Sequence, residues 1–385
     1  MARTIGIVGG GQLARMMAQA SVGLGVSVRL LSEASGSSAA QVVHDVTVGD
    51  YTDPATLAAF AEGCDVVTFD HEHVPTGLLR ELIAAGRTVS PGPDALEYAQ
   101  DKALMRDRLS GLGVPCPVYE IVPDAAALAR FGDRIGWPVV AKTSRGGYDG
   151  KGVFVIDGPD DAVVPFDQMR TISAGEVVRI VAEEFVDFER ELSVIVVRNP
   201  SGEARAYPVT ETVQRDGVCV ETTTPAPGLP EDRADALQAM ALRIADELDV
   251  VGLLAVELMA ARDGRVLVNE LAMRPHNTGH WTIDGAATSQ FENHLRAVLD
   301  WPVGSTDLVA PAVGMANVLG GSVLDLVAAL PDTFAADPEL RAHLYGKPVS
   351  PGRKVGHVTT LDSTPGAAIA RARAAANHLM GVAHD

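Results

Sequence analysis

Two apolar runs joined by Asp263-Gly264 constrain this chain more than any other feature. Gly252-Leu-Leu-Ala-Val-Glu-Leu-Met-Ala-Ala-Arg262 precedes the pair, and Arg265-Val-Leu-Val-Asn-Glu-Leu-Ala272 follows it. Asp-Gly between apolar runs predicts a two-residue type I′ turn, because both central residues need positive φ. With Arg262 and Arg265 closing that turn, Glu257 lies five residues before it and Glu270 five after it. The two carboxylates then face each other with Cβ atoms roughly 5 Å apart. Neither arm supplies a cation on the same face, so the pair repels unless a divalent ion sits between. Oxygen ligands of this kind suit Mg²⁺ bridging to nucleotide phosphates, and Asn269 adds a neutral oxygen beside them. The alternative is a solvent-facing pair on an edge hairpin, which the apolar flanks disfavour.

The rest of the chain sets the context for that hairpin. Its 385 residues are enough for two or three domains. A formal charge of −19 argues against non-specific binding to nucleic acid or an anionic membrane, so an anionic ligand must meet a local cluster of cations. Cys64, Cys116 and Cys219 are far apart and show no CxxC spacing, which suits a reducing cytoplasm. The first residues run straight into Ile5-Gly-Ile-Val8, with no pattern of a secretory leader, and no apolar stretch is long enough to span a bilayer.

Residues 1–98 read as alternating strands and helices: strands at Ile5–Val8, Val26–Leu31 and Asp65–Phe69, helices at Gln12–Leu24 and Leu78–Ala85. That alternation predicts a parallel, doubly wound sheet. Ser90-Pro-Gly-Pro93 marks a boundary, and one helix is expected from about Ala95 to Leu112. The middle section, 99–304, reads as antiparallel strands at Pro138–Lys142, Gly152–Ile156, Val178–Phe185, Glu191–Arg198, Ala204–Glu211 and Val218–Thr223. A helix carrying Leu237, Met240, Ala241, Ile244 and Leu248 on one face follows. The last section, 305–385, holds strands at Ala312–Val318 and Lys354–Leu361 and an Ala-rich helix from Pro365 to Met380.

Three further segments carry chemistry. Gly9-x-Gly11-x-x-Ala14 follows a strand and opens a helix, with Glu33 near the end of the next strand, as in the dinucleotide fingerprint of a dehydrogenase. Amides at a helix N-terminus bind any phosphate, so a phosphorylated small molecule fits equally, as does a bare tight turn. Ser144-Arg-Gly-Gly-Tyr-Asp-Gly-Lys-Gly152 joins two strands and is glycine-rich, with Lys142 and Lys151 adding charge. That combination reads as a lid over nucleotide phosphates, against the alternative of a surface hairpin. Val181-Ala-Glu-Glu-Phe-Val186 ends a strand whose backbone is placed to read a purine edge, and Glu191 follows at a spacing suited to ribose hydroxyls. Lys347, Arg353 and Lys354 form a basic cluster in an acidic chain, either a phosphate clamp or a solvated turn. His276 and His280 do not make a zinc pair, because Pro275 and Gly279 oppose a regular helix there.

With lid, acidic hinge and carboxylate pair in this order, the chain resembles the ATP-grasp superfamily. Within it, the chain is most similar to the N5-carboxyaminoimidazole ribonucleotide synthetases. Four stretches carry the match: Gly9-Gly-Gly-Gln-Leu-Ala-Arg15, Gly146-Gly-Tyr-Asp-Gly-Lys-Gly152, Asn269-Glu-Leu-Ala-Met-Arg-Pro-His-Asn-Thr-Gly-His-Trp281 and Pro351-Gly-Arg-Lys-Val-Gly-His357. The resemblance implies an α/β and α+β ATP-grasp fold, with a doubly wound pre-ATP-grasp domain at 1–98, the ATP-grasp domain at 99–304 and a small C-terminal domain at 305–385. ATP would contact Lys102, Lys142, the loop Gly147, Tyr148, Asp149, Gly150, Lys151, Gly152 and Val153, the hinge Glu183, Glu184, Phe185 and Val186, and Glu191. Gln214, Asn269 and Glu270 complete that site, and Glu257 and Glu270 would hold Mg²⁺. Lys102 stands where relatives often carry Arg, and Gln214 where some carry His.

The ribonucleotide would meet Gln12, Glu72, Tyr148, Lys151, Arg274, His276 and Asn277, with Lys347, Arg353 and Lys354 around its phosphate. The implied reaction phosphorylates bicarbonate with ATP, releases CO₂ from carboxyphosphate inside a closed site, and carboxylates the amine of 5-aminoimidazole ribonucleotide (AIR) in purine synthesis. Catalytic roles fall on Asp149 as proton acceptor, Lys347 as its orienting partner, and Tyr148. The resemblance also implies a cytoplasmic homodimer with small-molecule partners only. Alternatives are another ATP-grasp ligase, of the formate-dependent glycinamide ribonucleotide transformylase or biotin carboxylase kind, and an NAD-dependent dehydrogenase.

Overall fold

The computed structural model of the protein describes residues 3–146, 152–172 and 178–382. Three sheets organise it. The first is a parallel sheet of β1 (Thr4–Val8), β2 (Ser27–Ser32), β3 (Asp45–Val48) and β4 (Val66–Phe69), in the order β3-β2-β1-β4. The buried runs of β1 and β4 are continuous, as strands covered on both faces require. The sequence reading passed over β3, a short half-exposed edge strand with no apolar run, and the helix Pro54–Ala61. That helix nonetheless carries a start signal: the Asp53 side chain accepts from Thr56 N, and Pro54 opens the first turn.

The second sheet is antiparallel, with β5 (Tyr119–Val122), β6 (Val139–Thr143), β7 (Val153–Ile156) and β8 (Ile180–Glu184) ordered β5-β8-β6-β7. The third has nine strands: β9 (Phe188–Arg198), β10 (Ala204–Ala206), β11 (Thr210–Arg215), β12 (Val218–Thr224), β13 (Gly252–Ala261), β14 (Val266–Ala272), β15 (Ala312–Leu319), β16 (Arg341–Leu344) and β17 (Lys354–Asp362). Its path is β14-β13-β9-β11-β12-β15-β17-β16, with β10 added to β9. The single strand expected over Ala204–Glu211 is split in two around Pro208, which has no N–H to give a ladder.

Residues 305–385 therefore extend the sheet of the middle section through the β12–β15 pairing. The Ala-rich helix Pro365–Met380 lies on these strands, close enough that a Cβ on Gly314 would meet the backbone of Ala368 and Ile369 at 2.5 Å. The core also crosses the sections. Val8, Leu31 and Phe69 share one cluster with Leu192, Val194, Val256 and Leu271, and Ile5, Ile7 and Met17 pack with Phe291 and Leu295.

The helix expected from Ala95 to Leu112 is two helices, Pro93–Gln100 and Lys102–Gly111. Asp101 separates them in an extended conformation (φ −129°, ψ 105°), and its carboxylate caps the second through Ala103 N and Leu104 N. Among the described residues no helix is long and apolar enough to cross a membrane.

Candidate active site

The hairpin of β13 and β14 sets Glu257 opposite Glu270 as expected, but by a different route. The turn is not type I′. Ala261 N donates to Arg265 O at 2.8 Å and Gly264 N to Ala261 O at 2.9 Å, so the loop holds Arg262, Asp263 and Gly264. Of these, only Gly264 has positive φ, at 89°. The longer loop shifts the register to Ala260–Val266, Met259–Leu267 and Leu258–Val268. Continued unbroken, it would set Glu257 against Asn269. A β-bulge after Leu258 leaves Asn269 as the extra residue and restores Glu257 to Glu270.

The Glu257 carboxyl is pushed up to about 8 by burial first, then by the charges of Glu270 and Glu191, with Arg274 and Lys354 partly offsetting the rise. Its Oε1 lies 3.3 Å from His276 Nε2. Burial, with Arg274 and Lys354 nearby, holds that imidazole well below its usual pKa. With the ring held neutral and the carboxyl raised, this close contact is not an ion pair near neutral pH. Glu270 has a cation partner, Lys102 Nζ at 3.0 Å, delivered from the first turn of Lys102–Gly111 rather than from either hairpin arm. Once ionised, Glu257 carries a carboxylate charge that its neighbours only partly offset, which is the condition a divalent ion relieves. Among the described residues no group of three or more His, Cys, Asp or Glu side chains forms a metal cluster by itself. Mg²⁺ does not need one, since one or two carboxylates with phosphates and water complete its shell.

One turn further along the same helix, Arg106 is fully buried and reaches the same hairpin. Its Nε donates to Glu183 Oε1 at 2.7 Å and its Nη2 to the Asn269 carbonyl at 2.8 Å. Lys142 Nζ sits 2.8 Å from Glu183 Oε2 and donates to Asn269 Oδ1 at 3.1 Å. Burial alone would raise the Glu183 carboxyl, but Lys142 and Arg106 outweigh it and hold it at about 2. Asp101 ties Arg145 and Arg179 to the start of this helix, each at 3.1 Å.

At the other end of the cleft, Lys347 Nζ donates to Gln12 Oε1 and lies 5.8 Å from the centre of the Tyr345 ring. Burial, then Arg353 and Lys354, lower its pKa to about 8. Between the two ends, Glu72 clamps the segment after β14: Arg274 Nε donates to Oε2 at 2.8 Å and Met273 N to Oε1 at 3.1 Å. The Asn277 side chain is locked amide to amide on Asn317, with bonds of 3.1 and 2.7 Å. Gln290 fixes the His276 backbone through both its N–H and its C=O, at 2.9 and 2.7 Å.

The glycine loop of the first strand does not present a free anion site at Gly11. Its N–H donates to the buried Asp70 carboxylate, which occupies the helix N-terminus where a dinucleotide pyrophosphate would sit. A Cβ on Gly9 would meet Asp70 Oδ1 at 1.7 Å, so this glycine makes room for Asp70. Glu33 lies 3.7 Å from His71 Nε2. The dehydrogenase reading of this loop fails on that carboxylate.

A cleft of about 1160 Å³ runs through these groups. Gln12, Glu72, Lys102, Lys142, Val153, Glu191, Gln214, Glu257, Asn269, Glu270, Arg274, His276, Asn277, Lys347, Arg353 and Lys354 all line it. Gly152 precedes β7 with φ 72°. Gly147, Tyr148, Asp149, Gly150 and Lys151 lie outside the described residues. The stretch from Glu183 to Val186 is not part of the wall. Glu183 is committed to Arg106 and Lys142, and Glu184 to Arg265 at 2.8 Å and Val118 N at 3.1 Å; the backbone of both is paired within the second sheet, so only Phe185 and Val186 lie beyond the ladder. Sequence reasoning did not find Asp70, Asp101, Arg106 or Asn317. Of these, only Asp101 has a local signal, an Asp one residue before a helix.

This fold, with its cleft between an antiparallel four-stranded sheet and a carboxylate hairpin, defines an ATP-grasp ligase. Residues 1–100 match the ribonucleotide synthetase preATP-grasp domain, 107–291 the ATP-grasp domain and 313–371 the phosphoribosylaminoimidazole carboxylase C-terminal domain. The N5-carboxyaminoimidazole ribonucleotide synthase of Mycobacterium tuberculosis is 51% identical over 382 residues, 98% of this chain and 88% of that protein. That of Bacillus subtilis is 37% identical over 364 residues, 92% of this chain and 90% of its own. The Aspergillus clavatus enzyme, solved with ADP and 5-aminoimidazole ribonucleotide, superposes with a TM-score of 0.87 at 31% identity, covering 98% of each chain. The chain belongs to the N5-carboxyaminoimidazole ribonucleotide synthase family.

Proposed function

We propose that this enzyme binds ATP and Mg²⁺ at the Glu257–Glu270 end of the cleft and AIR at the Lys347–Lys354 end, and carboxylates the AIR amine with bicarbonate. A bicarbonate oxygen attacks the γ-phosphorus, and the bond to the departing ADP breaks. Carboxyphosphate then loses phosphate by C–O cleavage to give CO₂, and the amine nitrogen attacks that carbon while a base takes the proton. Mg²⁺, when bound, neutralises charge on the phosphoryl oxygens.

Each group in the chain has a place in this scheme. Glu257 and Glu270 hold the ion, and Lys102 and Lys142 attract the phosphates. Glu191 faces the ribose, and the backbone of Phe185 and Val186 faces adenine. Lys347, Arg353 and Lys354 hold the AIR phosphate with Gln12, while Arg274, His276 and Asn277 orient the ring. Asp149 takes the amine proton, with Tyr148 and Lys347 orienting the reactants. The enzyme works as a cytoplasmic homodimer, to be tested by solution mass and fractionation.

The observation that carries this reading is the single cleft with a cation-deficient carboxylate hairpin at one end and a basic cluster at the other. ADP release is the test, with AIR and bicarbonate supplied together and separately. Rapid release is expected only with both. Equal stimulation by formate and glycinamide ribonucleotide would overturn the assignment.

A further inference from the structure

We propose that Arg106 is a positioning residue: it takes over the Glu183 carboxylate so that the Lys142 charge is left for nucleotide phosphates, and it holds the Asn269 bulge that aligns the metal carboxylates. The inference rests on the reading of Lys142 as an ATP contact.

The argument is a charge count in a closed space. Glu183 is 2% exposed and touches two cations, Arg106 and Lys142. One negative and two positive charges leave one net positive charge. Arg106 is 0% exposed and does not line the cleft, whereas Lys142 does. The surplus charge is therefore displayed by Lys142. Without Arg106, Glu183 would hold Lys142 alone and the trio would become a neutral pair, unattractive to a triphosphate.

The second function follows from the guanidinium fork. Arg106 donates in two directions, Nε to Glu183 and Nη2 to the Asn269 carbonyl. Asn269 is the extra residue of β14, and a bulged residue lacks a ladder partner of its own. The fork therefore ties the second sheet, through Glu183, to the point where β14 changes register. A lysine ammonium is a point charge on a flexible stem and does not reproduce two divergent bonds in one plane.

Four variants test this, with ATP affinity read by calorimetry, Mg²⁺ for half-maximal activity, and folding checked by thermal melting. Arg106→Met should weaken ATP binding about tenfold or more, the scale of one charged hydrogen bond. Arg106→Met with Glu183→Gln should restore most of that loss, because the carboxylate that captures Lys142 is gone. Arg106→Lys should keep near-normal ATP affinity but raise the Mg²⁺ requirement several-fold. Loss of affinity that Glu183→Gln does not rescue would reduce Arg106 to a packing role and overturn the proposal. So would unchanged affinity in Arg106→Met. If Arg106→Met does not fold, Arg106→Lys decides: an unchanged Mg²⁺ requirement overturns the proposal, and a raised one at normal ATP affinity supports it. Lys142→Met separates the two levels. If it binds ATP normally, the nucleotide role of Lys142 fails; if it binds poorly while Arg106→Met binds normally, only the present inference fails.

Discussion

Glu257 stands opposite Glu270 only because Asn269 is an extra residue in β14. The three-residue turn displaces the strands by one position, and the bulge displaces them back. Asn269 is then clamped from two sides, its carbonyl by Arg106 and its amide oxygen by Lys142. The bulge thus sets the geometry of two carboxylates and brings the neutral oxygen beside them.

Removing one of those charges should stabilise the ligand-free protein while disabling the enzyme. The folded pKa of Glu257, about 8, lies above its ordinary value of 4.5. Below 4.5 the group is protonated in both folded and unfolded states and costs nothing. Between 4.5 and 8 only the unfolded chain ionises, so stability falls as pH rises, and above 8 the penalty is constant. Glu257→Gln should therefore melt higher than the parent without Mg²⁺ or nucleotide, by a margin that grows from pH 4.5 to 8. Its turnover should collapse, as should that of Glu270→Gln. A margin that shrinks with rising pH would contradict the assigned shift.

Lys347 should impose a pH limit on AIR binding. Its pKa of about 8 means the ammonium is lost on the alkaline side of that value. A phosphate bound beside it favours the charged form, so AIR affinity should decline as pH rises through about 8. KM for AIR measured from pH 6.5 to 9.5 should rise in the parent and stay flatter in Lys347→Met, whose affinity is low throughout.

Asn317→Ala should act on AIR alone. It removes both amide–amide bonds that fix Asn277, together with the bond from Asn317 to the Cys219 carbonyl at 2.9 Å. Each net bond contributes about 0.5–1.5 kcal/mol, so KM for AIR should rise roughly fivefold to tenfold. KM for ATP should remain within a factor of two or so, which steady-state kinetics can resolve.

Asp149→Asn tests the proton acceptor. Carboxylation should fall by about 10²–10⁴-fold, the range for a general base. ATP affinity should survive, because Lys142 and Lys102 are untouched. N-carboxylation at close to the parent rate would assign the proton to another group.

Much of this was legible because the decisive signals are local. The β-α-β start, the apolar arms around Asp263-Gly264 and the basic cluster at 347–354 are each read within a few residues. The Glu257–Glu270 pairing was reached through two opposite errors, a turn one residue too short and an unseen bulge. Bulges have no strong residue signature when the extra residue is an Asn held by partners elsewhere. Arg106, Asp70 and Asn317 were missed for the same reason. Their partners Glu183, Gly11 and Asn277 are 77, 59 and 40 residues away, and an Arg, Asp or Asn alone does not announce them. Asp101 was different: an Asp followed by Lys-Ala-Leu is a helix start, hidden inside a longer helical pattern.

The nine-stranded sheet has a consequence for how the two substrates meet. Glu257 is on β13 and Lys354 on β17, five strand steps apart in the sheet order. On a flat sheet that is about 24 Å at roughly 4.8 Å per step. Yet both line one cleft, and the Lys354 charge is felt at the Glu257 carboxyl. Both ends of that strand path therefore open onto the same space. With the phosphoryl donor and the amine bound as proposed, the strand path from β13 to β17, rather than any linker, would set how far freshly made CO₂ has to travel.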